Sequence, residues 1–387
     1  MGSTFNSFKF DLVSIILIFF LISRVIIDRS GLGGIIGIMV VGVFLLFVIY
    51  KQKMPKFLIS MALIFTLLIL YGFLNAYYLY NQPLYSMRGV IRYFTYFAIF
   101  IFAYYSKLSS RSLYNIYTVI VVAQSALATY QVLFLGMERP PGTFINSNHF
   151  SYFLIPYFSL TLFVYNKYFI AAFVFLLSAF LGGMGGVICL LLILLVYFAQ
   201  YSSKKQKKWA IVLFPLLLFA SAYLMQDRLK ELEDITTVSD RIDAERGGGG
   251  SSLVWRIVTW NLMFDELTDK NGVYTGLGLE YASLASPYFL QSSIREPHND
   301  YLRVLLELGV FGLIVFVFII YYVLRNFLRI AKMLNSKLYF SIYASILALS
   351  IGLIVGNIIV LSTLFWFLLT IIGVARREEV DYRHVIG

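Results

Sequence analysis

His298 and Asn299 stand immediately before a long apolar run, with Asp300, Tyr301 and Arg303 at its start. Ionisable groups at the mouth of a membrane span are costly to keep there, so they mark functional sites by default. An imidazole titrates near neutral pH and can orient a hydroxyl or take its proton. Arginines occur at comparable places. Arg139 lies in Glu138-Arg139-Pro140-Pro141-Gly142, and Arg256 in Val254-Trp255-Arg256-Ile257. Arg88 and Arg92 are four apart, hence on one helix face. A guanidinium keeps its charge and grips phosphate oxygens in a bidentate fork. A cavity lined by several of them suits a diphosphate. Plainer roles compete for the same residues. Arg88 and Arg92 would also snorkel to headgroups, Arg139 would also serve a surface turn, Arg256 a headgroup contact and His298 a helix cap. His149, at a helix start, and His384, in the C-terminal tail, have less distinctive surroundings.

The elements that must position these groups are membrane helices. The chain has 387 residues, 60% hydrophobic and 13% charged, with mean hydropathy +0.81. A soluble protein of this length lacks the interior to hide so much apolar surface. Repeated apolar runs of roughly 18 residues or more predict an all-α polytopic membrane protein. Twelve helices are expected, at 11–28, 32–50, 56–76, 88–106, 112–135, 148–165, 168–182, 184–200, 208–225, 299–325, 337–354 and 356–374. The first is read as an uncleaved span, since no small-residue cleavage pattern ends it and Arg24, Asp28 and Arg29 follow.

Charge tests this count. With the N-terminus inside, the cytoplasmic segments hold Lys9; Lys51, Lys53 and Lys56; Lys107 and Arg111; Lys167; and Lys204, Lys205, Lys207 and Lys208. They also hold Arg325, Arg329, Lys332 and Lys337, then Arg376, Arg377 and Arg383. All fall on one side, as the positive-inside rule requires. Both termini are then cytoplasmic, and the net charge of +11 reflects topology and not nucleic-acid binding. The one long connection, 226–297, lies outside. Within it, 253–267 has the spacing of an amphipathic helix at the membrane surface. Gly247 to Ser252 form a flexible tether, native or introduced. The whole chain, 1–387, reads as a single membrane domain with this loop as its cap.

Other chemistries find little support. Asp240, Asp243 and Glu245 belong to a solvated charge run, so no metal site is expected. No glycine-rich phosphate loop follows a strand, and no Ser-His-Asp or Cys-His arrangement stands out. The single cysteine, Cys189, allows no intramolecular disulfide.

His298-Asn299, nine residues, then Gly309-Val310-Phe311-Gly312 resembles the signature of the O-antigen polymerase and ligase family. Further pieces over roughly 135–325 are similar to it. Arg139-Pro140-Pro141-Gly142-Thr143-Phe144 with Asn146 and Asn148 looks like its Arg-x-x-Gly segment, and Arg256 with Trp260 like its Arg-x-x-x-Trp element. Gly276-Leu277-Gly278 looks like the Gly-x-Gly that follows. The resemblance implies a GT-C-like, inverting, metal-independent glycosyltransferase in the bacterial inner membrane, without cofactor, its site on the periplasmic face. The donor would be an undecaprenyl-diphosphate-linked glycan. The acceptor would be another lipid-linked repeat unit for a polymerase, or lipid A-core for a ligase. A chain-length regulator is a further partner the family allows. On this reading Arg256 and Arg139 bind the diphosphate and stabilise its growing charge, and His298 orients or deprotonates the acceptor hydroxyl. Arg88, Arg92, Asn148, Asn299, Tyr301 and Arg303 would line the substrate cavity. One departure is notable: Met184, in Leu181-Gly182-Gly183-Met184-Gly185-Gly186, stands where the family often carries an arginine, which raises the prospect of an altered or inactive form.

The expected function is polysaccharide polymerisation from lipid-linked units, with O-antigen ligation as the close rival. A flippase for lipid-linked oligosaccharide would spread its charges along a central path instead of gathering them at the outer helix ends. A scaffold protein would give no reason for the placement of His298 and the arginines.

Overall fold

The computed structural model describes residues 11–30, 32–51, 66–67, 70–74, 77, 83–201, 252–285 and 297–386. Its main helices are α1 (Leu12–Ile26), α2 (Gly33–Lys51), α3 (Pro83–Tyr105), α4 (Ser110–Leu135), α5 (Ser147–Phe163) and α6 (Tyr168–Phe180). They continue with α7 (Met184–Tyr201), α8 (Ser252–Asp269), α9 (Asp300–Met333), α10 (Lys337–Gly352) and α11 (Ser362–Ile386). A π-helical turn covers Tyr281–Ala285, and no strand occurs among the described residues. Ten of the twelve expected apolar segments coincide with these helices. Segment 56–76 is only partly described. Segment 208–225, the acidic run at 240–245 and all of the tether except Ser252 lie outside the described residues. By length and composition α4, α7 and α9 are each able to cross a membrane, and α1, α2, α6 and α10 are shorter apolar helices.

Burial explains the arrangement. In α5 every residue from Phe150 to Phe163 is buried, the mark of a helix surrounded on all sides. It packs on α4, α6, α7, α10 and α11. The opposite flank is built from α3 against α2 and α11. Between apolar helices in lipid, small residues and polar side chains supply the specific contacts. Ser159 Oγ donates to the Ser341 carbonyl at 2.8 Å, Tyr96 Oη to Ile359 at 2.7 Å, and Trp366 Nε1 to Thr95 Oγ1 at 3.2 Å. The outward faces are apolar: Val119, Leu133, Phe134, Ile314 and Phe318 are all exposed.

The ends of α9 and α11 differ from the expected boundaries. α9 runs on to Met333, carrying Arg325, Arg329 and Lys332 in its last turns instead of in a loop. α11 begins at Ser362, not 356, and continues past the apolar stretch to Ile386. Ion pairs within the helix, Arg376–Glu379 at 3.0 Å and Arg377–Asp381 at 3.7 Å, support that extension. The apolar residues 353–361 are non-helical, and several of their backbone groups serve the site described next.

α9 itself is broken. Gly309 has φ 69° and ψ −173°, a conformation open essentially to glycine alone. The break leaves Val310–Met333, roughly 36 Å at about 1.5 Å per residue, still long enough to cross the hydrocarbon. The short half-helix Asp300–Leu308 precedes it. Its exposed backbone finds partners in the preceding loop: Leu277 N donates to Leu306 O at 2.8 Å, Gly278 N to Glu307 O at 3.0 Å, and Val310 N to Val273 O at 2.9 Å. The approach is so close that a Cβ on Gly276 would meet the Glu307 carbonyl, and one on Gly309 the Tyr274 carbonyl. The Gly-x-Gly and the first glycine of Gly-x-x-Gly are therefore the two sides of one backbone contact.

Candidate active site

The first part of the site is the turn after α4. Gly136 ends α4 in the left-handed conformation. The Gln131 side-chain amide then donates to the Gly142 carbonyl at 2.9 Å and accepts from Gly142 N at 2.8 Å. Gln124 Oε1 accepts from Thr143 N at 2.9 Å, and Thr143 Oγ1 donates to Val25 O at 2.6 Å. Two glutamines on α4 thus fix the Arg139–Thr143 segment by its backbone. Arg139 stays exposed, reaching Asn148 Oδ1 at 2.9 Å and the Gly182 carbonyl at 3.1 Å. Asn148 and the turn before Met184 therefore meet at Arg139, as Met184 opens α7. A shallow cup of about 390 Å³, lined by Glu138, Arg139 and Ser147 among others, opens beside it.

The second part centres on His298. Arg256 and Trp260 lie four apart on α8, on one face. Trp260 Nε1 donates to the Pro297 carbonyl at 2.7 Å, holding the chain just ahead of His298. Arg256 Nη1 reaches the Val355 carbonyl at 3.4 Å. His298 has φ 50°, a strained region that a non-glycine residue occupies when its surroundings dictate it. Arg256, His149 and Arg303 all lie within electrostatic range of it. Burial pushes the imidazole down from its usual 6.5 to about 4, and the charges of Arg256, His149 and Arg303 act in the same direction. At neutral pH the ring is uncharged and keeps a nitrogen lone pair for a hydroxyl proton.

The half-helix that begins here is anchored by its own first turn. Asn299 caps α9 by accepting from Leu302 N at 3.1 Å. Asp300, wholly buried, accepts from Ile358 N and Ile359 N and so ties the 353–361 loop to the site. Tyr301 Oη donates to the Ser350 carbonyl at 2.8 Å. Asn299 and Tyr301, expected to line a substrate cavity, thus have their side chains engaged within the protein.

Arg92 and Arg303 also differ from the expected open cavity. Arg303 is 1% exposed. It donates to Ser283 Oγ at 2.7 Å and faces Glu307 at 3.3 Å and Asp300 at 3.6 Å. Arg92 pairs at 2.5 Å with Glu280, itself buried with φ 64°. Charges taken out of water need such partners, and the pairs join α3 and α9 to the loop through residue 280. Arg88, one turn from Arg92, remains exposed.

Two further residues join this neighbourhood. Arg24, near the end of α1, pairs with Asp28 at 3.3 Å and stands 5.9 Å over the Trp366 ring. It is within electrostatic range of Arg88 and Arg92 and of His149. Among the described residues, His149 Nδ1 is buried without a hydrogen-bond partner. Spacing alone gave Arg24 no distinction from a topology marker. For His149 the available signal was the sequence Asn146-Ser147-Asn148-His149, in which Asn146 caps α5 and fixes where Asn148 and His149 emerge.

The arrangement gathers arginines, two imidazoles and a half-helix N-terminus, whose partial positive charge favours an anion, at one end of the bundle. No curated protein matches the chain. A family model described as O-antigen ligase matches residues 168–317. That stretch holds α6, α7, Arg256, Trp260, the Gly276–Gly278 segment and the His298–Gly312 motif. The matched stretch, less than half of the chain, supports the O-antigen polymerase and ligase family, and the apolar helices are those of a membrane protein.

Proposed function

We propose that this protein is a polysaccharide polymerase. It transfers a glycan from an undecaprenyl-diphosphate donor to a second lipid-linked repeat unit, by inversion and without metal. The observation that carries the reading is the grouping of Arg256, His149 and Arg303 around an uncharged, conformationally constrained His298, inside the matched domain. In this proposal Arg256 and Arg139 hold the diphosphate and oppose its charge as the glycosidic bond breaks, usually the largest contribution to such catalysis. His298 accepts the acceptor's hydroxyl proton as the oxygen attacks the anomeric carbon. Asn148 positions Arg139, and Arg88, exposed like Arg139, meets the lipid-linked substrate. Arg92 and Arg303 keep the half-helix in place. A twelve-span, GT-C-like architecture completes the reading, in the bacterial inner membrane, with both termini cytoplasmic and the site on the periplasmic face.

The test is transfer in proteoliposomes containing purified protein and undecaprenyl-diphosphate-linked repeat units, with neither lipid A-core nor metal added. A ladder of longer lipid-linked glycans supports the polymerase. The description of the matching family model favours ligation as the second reading. Product that forms only once lipid A-core is supplied would replace the polymerase by the ligase. Lipid-linked glycan that crosses the bilayer unchanged would replace both by a transporter.

Two variants bear on the donor side. Arg256→Ala is expected to lower transfer roughly 10²–10³-fold, the usual loss for one oriented charge-stabilising donor. Measured kcat and KM for donor, with melting temperature as a folding check, would show this. An unchanged kcat/KM would remove Arg256 from the diphosphate. Met184→Arg would put a guanidinium at the start of α7, beside the turn that Arg139 already touches. Increased ladder formation is expected, and no increase would mean that Met184 is not a missing contact.

A further inference from the structure

The same helices that carry the site at one end enclose a second cavity at the other. It holds about 800 Å³ and lies where α5 and α7 end and α6 and α10 begin. Its walls are apolar, from Leu162, Phe175, Leu194 and Phe198. Its mouth is polar. The exposed Lys337 Nζ sits 3.3 Å from Asn166 Oδ1 and 6.0 Å from the Tyr201 ring centroid. Among the described residues no carboxylate pairs with Lys337. Among the described residues the Tyr201 hydroxyl is buried with no hydrogen-bond partner, while Tyr168 and Tyr197 join hydroxyls at 2.9 Å. Phe169, next to the mouth, is 95% exposed.

Each of these features has a counterpart in one kind of molecule. Apolar walls between membrane helices suit an acyl chain. A cation with no carboxylate against it among the described residues and a neutral amide at the rim suit a phosphate. We propose that this cavity binds a bilayer phospholipid with an anionic headgroup, its phosphate against Lys337 and Asn166 and an acyl chain along α6 and α7. Basic pockets between membrane helices are known receptors for such headgroups. The site lies at the helix ends opposite His298, so the inference stands independently of the proposed transfer reaction.

The experiment uses full-length protein, delipidated in detergent and titrated with phosphatidylglycerol or phosphatidylcholine, with bound lipid read by native mass spectrometry and melting temperature. Phosphatidylglycerol is expected to bind more tightly and to raise the melting temperature more. Lys337→Gln should weaken its binding about fivefold, the share of one lysine near a headgroup, and Lys337→Arg should retain it. Ala172→Trp, at an exposed position on the cavity wall, should reduce retention of both lipids without disturbing the core. Equal binding of the two lipids would overturn the proposal, as would a Lys337→Gln protein with wild-type affinity. Native spectra showing a lipid-free dimer that Ala172→Trp abolishes would assign the cavity to a second copy of the chain instead.

Discussion

His298→Ala is expected to lower glycan transfer by roughly 10²–10⁴-fold, the usual worth of a positioned general base. His298 sits in the left-handed region, where alanine is strained, so the informative companion is His298→Asn. Asparagine tolerates that backbone conformation but offers no basic nitrogen. If both variants lose transfer and His298→Asn keeps the wild-type melting temperature, the loss belongs to the imidazole. Wild-type turnover from His298→Asn would remove it from the chemistry. The pH profile gives a second readout. With the imidazole held down at about 4, the base is already deprotonated throughout the range in which an ordinary histidine titrates. The acid limb of kcat/KM should therefore fall well below 6.5 and approach 4. Stability follows the same linkage. Between pH 6.5 and about 4 the unfolded chain binds a proton that the folded chain refuses, so acidification destabilises the protein in that window.

Gly309→Val is expected to be the most damaging single substitution for folding. It forces a β-branched residue into a glycine-only conformation and drives its Cβ into the Tyr274 carbonyl. Strain of that kind costs about 1–3 kcal/mol before the collision is counted, and the obstructing atoms are backbone that cannot rotate away. A fall in melting temperature in detergent, with aggregated material on size exclusion, is the anticipated result. Gly42→Ala is the matched control. Among the described residues nothing lies within 4 Å of its added Cβ, and a helix interior gains up to about 1 kcal/mol from the change. Equal melting temperatures for the two variants would show that the broken helix tolerates a side chain at its break.

What the sequence disclosed follows from the physics of each signal. Helices in lipid announce themselves by length and hydropathy, so most apolar segments coincide with helices. The same signal hid the 353–361 loop, because it reports transfer to hydrocarbon and not hydrogen bonding. That loop is as apolar as a span, yet its backbone serves Asp300, Arg256 and Tyr96. Arg139 with Asn148, and Arg256 with Trp260, were recognisable because their spacing is local. The partner of Arg92 was not, since Glu280 lies 188 residues from it and no periodicity links the two, whereas Asp300 and Glu307 stand at helical spacing from Arg303. Arg24 and His149 were passed over for a related reason: their neighbourhood exists only once α1, α5 and the start of α9 are packed together.

The anchoring of Asp300 has a consequence for the order in which the protein is made. Synthesis delivers the chain from its N-terminus, and contacts that close short loops form most readily. The pairing of residues 273–278 with 306–310 closes a short loop, so it can form soon after that stretch emerges. The backbone donors to Asp300 arrive 58 and 59 residues after it. A nascent chain that stopped after α9 would hold a half-helix already broken at Gly309, but its buried carboxylate would lack the Ile358 and Ile359 amides. The mouth of the site is therefore completed only after the α10–α11 connection has been made, since that connection supplies the Ile358 and Ile359 amides on which Asp300 rests.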